Sequence, residues 1–235
     1  MAINYIDQAK VMASKFYLIS NYYPTSKSNS FKYYRYKVLL PFLKAHYKFF
    51  NYLYTKRPWT SPGSILFFDK VLTKNMVGLE YGSGRSTLYF AKKLKKLVSV
   101  EHNTEWFQKV SNQLVQNKIN NVDYLLVPRE DFPNNEEDID IYMNEYDEYE
   151  SKKKYLNYYN KVNEYPDNFF DFVMIDGRVR VRCGLNAMVK LKTGGIFVLD
   201  NSERPRYNPL HKALDSWLKV NTTNGITNTT IWIKP

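Results

Sequence analysis

The chain has 235 residues, enough for one α/β domain with additions or at most two small domains. Apolar residues make up 44%, enough for a sizeable core. The single cysteine, Cys183, excludes an internal disulfide framework and a cysteine-based zinc site. The net charge of +11 is unevenly spread: residues 1–60 carry ten Lys/Arg against Asp7, whereas residues 129–168 carry twelve Asp/Glu against five Lys/Arg. Two surfaces of opposite sign imply different partners.

No run of 18 uncharged apolar residues exists, and the N-terminus lacks the order of a signal peptide, so a cytoplasmic soluble protein is expected. Residues 1–58 form a basic, aromatic extension. Within it Leu40, Leu43, Tyr47 and Phe50 recur at helical spacing, which predicts an amphipathic helix over about 40–54 with Pro41 in its first turn. Such a segment could meet a membrane surface or a polyanion, or remain a solvated basic face. Ser61 before Pro62 predicts an N-cap and a helix over about 62–73. Trp59, just ahead of it, either packs or closes over a ligand.

From residue 76 strands and helices alternate. Strands are predicted at 76–82, 97–102, 122–128, 169–177 and 194–201. Helices fall at 85–96, after Asn103, at about 179–190 and at about 208–219. A last strand covers "TTIWIKP". This order predicts a doubly wound, mostly parallel sheet, with residues 59–235 as one Rossmann-like domain. The acidic connection 129–168 holds seven tyrosines. Ile139, Tyr142, Tyr146 and Tyr149 share a helical face there, so a partly helical lid is expected.

In such sheets ligands bind at the carboxyl ends of the strands. The first strand ends "LEYGSGRST". Gly82 and Gly84 allow a tight turn and a close backbone approach. Ser86 and Thr87 open the next helix, a position suited to an anionic group. Glu101, at the end of the second strand, can accept bonds from both hydroxyls of a ribose, with His102 beside it. A dinucleotide loop would place a third glycine where Thr87 stands. Glu80 would repel a pyrophosphate and would favour a sulfonium and an α-amino group, so S-adenosylmethionine is preferred over NAD.

The fourth strand ends at Asp176 and the fifth at Asp200-Asn201. Neighbouring strand ends would bring these oxygens together, a donor set suited to magnesium or another hard divalent cation. His211 follows the fifth-strand loop and is a base candidate. Arg178 and Arg180 lie next to Asp176, where a substrate-binding role is favoured. For Arg182 and Arg206 a structural role is favoured, and Cys183 is expected in the core.

These segments resemble class I S-adenosylmethionine-dependent methyltransferases. "GLEYGSGRST" is similar to their first motif, "LVSVEH" to the ribose-binding strand, and "FDFVMIDGR" and "LKTGGIFVLDN" to the fourth and fifth strand motifs. The resemblance spans roughly residues 60–235. It implies cofactor contacts from Glu80, Gly82, Gly84 and Glu101, with Tyr81, Ser83, Ser86, Thr87 and His102 close by. Asp176 and the Asp200-Asn201 pair are similar to the metal site of catechol-type O-methyltransferases, which implies a divalent ion that activates a substrate hydroxyl. Where those enzymes carry a lysine, this chain has Val179. Arginine stays protonated and is a poor base, so Asp176 is the first choice as ligand or base, with Arg180 and His211 beside it. The expected reaction is O-methylation of a small molecule or saccharide. RNA methylation and a non-catalytic cofactor-binding module are the alternatives.

Overall fold

The computed structural model describes residues 31–131 and 153–235. In chain order these form α1 (Phe31–Leu53), α2 (Pro62–Val71), β1 (Val77–Tyr81), α3 (Arg85–Lys93), β2 (Lys96–Glu101), α4 (Thr104–Gln116) and β3 (Val122–Leu126). There follow α5 (Leu156–Asn160), β4 (Phe170–Ile175), α6 (Arg180–Lys190), β5 (Leu191–Asp200), α7 (Asn208–Ala213), β6 (Leu218–Thr223) and β7 (Asn228–Ile233).

The seven strands make one sheet in the order β3-β2-β1-β4-β5-β7-β6. Strands β1 to β5 pair in parallel, and β7 joins antiparallel to both β5 and β6. The order reverses between β1 and β4, so the connections leaving their carboxyl ends run to opposite faces of the sheet and border a crevice. The central strands are apolar on both faces, as a sheet covered on both sides requires. Phe172, Met174, Ile196 and Val198 join the α2 and α3 layer with Phe68 and Phe90. Their neighbours Val173, Ile175, Phe197 and Leu199 join the other layer with Tyr158, Val181 and Leu210. This alternation is the two-residue period of a strand.

Local chemistry sets the helix starts. Ser61 Oγ accepts from the Ser64 amide at 3.3 Å, with Pro62 in the first turn. Asn103 Oδ1 accepts from the Trp106 amide at 2.8 Å. Each cap of this kind is worth about 1 kcal/mol.

Several expectations change. Helix α1 begins at Phe31, so Pro41 lies in mid-helix rather than in the first turn, where it removes one helical hydrogen bond. Its predicted inner face is observed: Leu40, Leu43, Tyr47 and Phe50 are half-buried while Val38, Phe42 and Phe49 are exposed. The helix expected over 208–219 ends at Ala213. Leu218–Thr223 is instead an edge strand, β6, paired along its length with β7. In the acidic connection, Ile139, Tyr142, Tyr146 and Tyr149 lie outside the described residues. Its later part is core rather than lid: Tyr158 is fully buried and packs edge-on against Tyr81 at 5.2 Å. Among the described residues no helix is long and apolar enough to cross a membrane.

Candidate functional site

A cavity of about 720 Å³ opens at the carboxyl ends of β1, β2 and β4. Its floor is the turn after β1. Gly82 has φ +87°, and a Cβ there would lie 2.6 Å from the Gly177 amide nitrogen. Gly177 is equally crowded, because a Cβ would collide with the Tyr158 hydroxyl. Two backbones therefore cross at van der Waals distance, pinned where the Asp176 amide donates to the Tyr81 carbonyl at 2.8 Å. Both glycines are therefore required by this close approach, and both line the cavity.

Glu101 ends β2 in the cavity wall and is 3% exposed. Its Oε2 accepts from the Ser83 amide at 3.0 Å and the Ser83 hydroxyl at 2.7 Å. Its Oε1 accepts from the His102 and Asn103 amides, both at 2.9 Å, and the His102 Nδ1 lies 3.1 Å away. Burial pushes the carboxyl up, but the hydrogen bonds from His102, Ser83 and Asn103 outweigh it and hold the group down at about 2. Glu101 is thus a fixed negative charge at neutral pH. Gly82, Ser83, Glu101 and His102 all line the cavity.

Glu80 does not. It is fully buried beneath the turn, opposite Ser99 in the β1–β2 register. Its Oε2 accepts from Thr87 Oγ1 at 2.7 Å and Ser99 Oγ at 2.8 Å, while Thr87 Oγ1 accepts from the Gly84 amide at 2.9 Å. Glu80 therefore ties β1, β2 and the glycine turn together from below. Its Oε1 has no hydrogen-bond partner among the described residues. Burial pushes its carboxyl up to about 7, against the nearby hydroxyls of Ser86, Thr87 and Ser99. Glu80, expected at the cofactor, is thus found supporting the loop and outside the cavity lining. Tyr81, Gly84, Ser86 and Thr87 are likewise outside the cavity lining. Tyr81 sits in the core, donating to the Tyr159 carbonyl at 3.2 Å and accepting from the Val162 amide at 3.1 Å.

The far wall follows β4. Asp176 lines the cavity with Gly177, Arg178, Val179 and Arg180. Arg180 Nη2 lies 2.8 Å from Asp176 Oδ1, its Nε donates to the Gly177 carbonyl at 3.0 Å, and its Nη1 donates to the Asp200 carbonyl at 2.5 Å. One guanidinium thus spans both strand ends. Val179, a β-branched residue, has φ +42°, a left-handed conformation that costs about 1–3 kcal/mol. That turn starts α6 and aims Arg180 back at Asp176. Burial raises the Asp176 carboxyl, opposed by the Arg180 and Arg204 guanidinium groups.

The divalent cation does not fit this arrangement. Of Asp176, Asp200 and Asn201, only Asp176 lines the cavity. Asp200 is 3% exposed and accepts from Thr229 Oγ1 at 2.7 Å. Burial and the Asp176 charge push its carboxyl up to about 8, against Arg180 and Thr229. Asn201 sits in a turn at φ +51°, with its carbonyl accepting from the Arg204 amide at 3.3 Å. The positive charge between the strand ends belongs to Arg180. Among the described residues no cluster of three His, Cys, Asp or Glu side chains could hold a metal.

His211 is also displaced from its expected role. Its Nε2 is 2.8 Å from the Ser202 carbonyl and its ring packs on Trp232 at 5.1 Å, outside the cavity. Burial lowers its basicity. Arg182 lies over the Tyr159 ring, a structural placement. Arg206 lies over Tyr207 yet reaches the cavity wall with Arg204. Cys183 is buried in the core.

Sequence reading missed Trp106 and Lys109. Trp106 Nε1 donates to the Ser83 carbonyl at 2.7 Å, and Lys109 lies over its ring at 4.6 Å. Their place on the first turns of α4, just after Glu101, was a usable signal, because that helix start must border the same crevice.

No family model and no curated protein matches the chain. Solved structures do match its fold. A methyltransferase from Geobacter sulfurreducens aligns with TM-score 0.51 and 10% identity over 82% of this chain and 88% of that one. An rRNA methylase from Streptococcus thermophilus aligns with TM-score 0.50 and 12% identity over 73% and 95%. A candidate methyltransferase from Streptococcus mutans, in complex with S-adenosylhomocysteine, aligns with TM-score 0.50 and 14% identity over 72% and 93%. The chain has the Rossmann-like methyltransferase fold.

Proposed function

We propose that the protein is an S-adenosylmethionine-dependent methyltransferase acting on a hydroxyl of a small molecule or saccharide, without a divalent metal. The observation that carries this reading is the shared cavity: the Gly82–Gly177 crossing, the ionised Glu101 and the Asp176–Arg180 pair all border one space. When bound, the cofactor supplies an electrophilic methyl group on a sulfonium.

The chain's residues suit that cofactor. Glu101 receives the ribose hydroxyls. Its four protein donors leave little spare capacity, but Ser83 Oγ has a second partner, the Tyr124 hydroxyl at 2.6 Å. Its bond to Glu101 can therefore be exchanged for one from the ribose. Trp106, His102 and Asn103 flank the nucleoside. At the other end Asp176 accepts the proton of the acceptor hydroxyl, and Arg180 holds that carboxylate in place and ionised. Holding the acceptor in line contributes much of the rate. Arg178 and Arg204 add positive charge at this end, suited to an acceptor that carries an anionic group.

The test is transfer of labelled methyl from S-adenosylmethionine to a panel of hydroxyl acceptors, with and without a chelator. Transfer that persists in chelator supports the reading. Transfer that requires added magnesium would show that a metal enters the site.

A further inference from the structure

A second cavity, of about 800 Å³, lies on the α3 side of the molecule, and none of its lining residues is shared with the first. Its wall is one face of α3: Arg85, Leu88, Tyr89, Lys92 and Lys93 follow the i, i+3, i+4, i+7, i+8 spacing. Lys56 and Arg57, just after α1, add two cations, and Gln113, Gln116 and Asn117 of the α4 end add amides. The only acid in the lining is Asp69. It is already engaged, 2.7 Å from Lys93 Nζ and accepting from the Tyr89 hydroxyl at 2.5 Å.

Lys56, Arg57, Arg85 and Lys92 have no carboxylate within salt-bridge distance among the described residues. Arg85 Nη1 is buried without any hydrogen-bond partner there. Two of the guanidinium groups lie over exposed rings: Arg85 over Trp59 at 4.9 Å and Arg57 over Tyr54 at 4.7 Å. Arg85 and Lys92 stand two turns apart on α3, about 10 Å along the axis. One phosphate cannot satisfy both, but successive phosphates of an extended strand can. Cations in a row with no carboxylate partner among the described residues, amides in the lining and exposed aromatic rings beside it are the combination that holds a single strand, by charge along the backbone and stacking of bases.

From this geometry we infer that the α3 groove is a docking site for the phosphodiester backbone of single-stranded nucleic acid. The site stands apart from the transfer chemistry and is independent of it. Arg85, at the N-terminal end of α3, marks one end of the groove.

The test is fluorescence anisotropy of the full chain with a labelled single-stranded RNA, the DNA of the same sequence, and the RNA duplex, without S-adenosylmethionine. Four phosphate contacts predict that affinity falls about fifty-fold between 50 and 200 mM salt. The variant Lys56→Glu/Lys92→Glu changes two exposed lysines and should weaken single-strand binding by about tenfold or more. Lys212→Glu/Lys219→Glu makes the same charge change on the α7–β6 surface and should leave binding within about twofold of the wild type. RNA bound more tightly than DNA identifies the hydroxyl-bearing strand as the source, and equal binding identifies the phosphate backbone alone. Equal losses in the two variants would reduce the effect to overall charge and overturn the proposal. Preference for the duplex, or binding to anionic-lipid vesicles with none to either single strand, would overturn it as well.

Discussion

The ends of β4 and β5 look alike in sequence, each an apolar run closing on an aspartate, yet they do opposite work. After β4 the chain meets the crevice where the strand order reverses, so Asp176 borders the cavity. After β5 the next strand over is β7, and Asp200 pairs with Thr229 in their register. The Ser61 amide donates to Thr229 Oγ1 at 3.1 Å, and Thr229 donates in turn to Asp200. Asp200 thereby joins β5 and β7 to the start of α2. Asp176 thus borders the cavity while Asp200 sits in the β5–β7 ladder, and Arg180 touches both, through the Asp176 carboxylate and the Asp200 backbone carbonyl.

The largest expected contrast follows from exchanging each carboxylate for its amide. Asp176→Asn should lower methyl transfer by about 10²–10⁴-fold, the usual worth of a positioned base, with S-adenosylmethionine affinity changed only a few-fold. Asp200→Asn keeps the bond from Thr229 and should leave transfer within a few-fold of the wild type. Equal losses in the two variants would erase the distinction between the strand ends.

Arg180→Lys sharpens the same contrast. A single ammonium cannot reach Asp176, Gly177 and Asp200 together as the guanidinium fork does. Transfer should fall about tenfold to a hundredfold, and added magnesium should not restore it.

Asp200 and Glu101 differ in how pH acts on stability. The Asp200 carboxyl is raised from its ordinary 3.8 to about 8. A raised carboxyl stabilises the fold fully below its unfolded value and loses that contribution as pH climbs to its folded value. Thermal melting should therefore decline between about pH 4 and 8 through this group, and Asp200→Asn should flatten that decline. Glu101 is depressed to about 2, so its contribution is present above its unfolded value near 4.5 and is lost as pH falls towards 2. Glu101→Gln should remove about 2–3 kcal/mol of stability at neutral pH and shrink the acid limb. Melting curves of both variants from pH 3 to 9 measure these opposite slopes.

Most of the fold was legible because the apolar runs of β1, β2, β4 and β5 and the caps Ser61 and Asn103 are local signals. Strand β6 was not, because "LKVNTT" is half polar on an edge and follows directly on a helical pattern. At the site, Gly82, Ser83, Glu101 and Asp176 were legible from strand ends alone. The position of Glu80 at the strand end was legible, but the face it occupies, opposite Ser99, depends on the β1–β2 pairing. Arg180 stood in plain view beside the missing lysine. Its placement between the strand ends depends on the left-handed turn at Val179, which no β-branched residue announces in sequence.

The proposed function requires that the cavity bounded by Gly82, Glu101 and Asp176 receive S-adenosylmethionine. Calorimetric titration of the protein with this cofactor in the presence of chelator tests it most directly. The account predicts one site per chain, weakened at least about tenfold in Glu101→Gln by loss of the charged acceptor and left intact in Asp200→Asn. A protein that binds NAD and not S-adenosylmethionine, or whose binding is indifferent to Glu101→Gln, would contradict it.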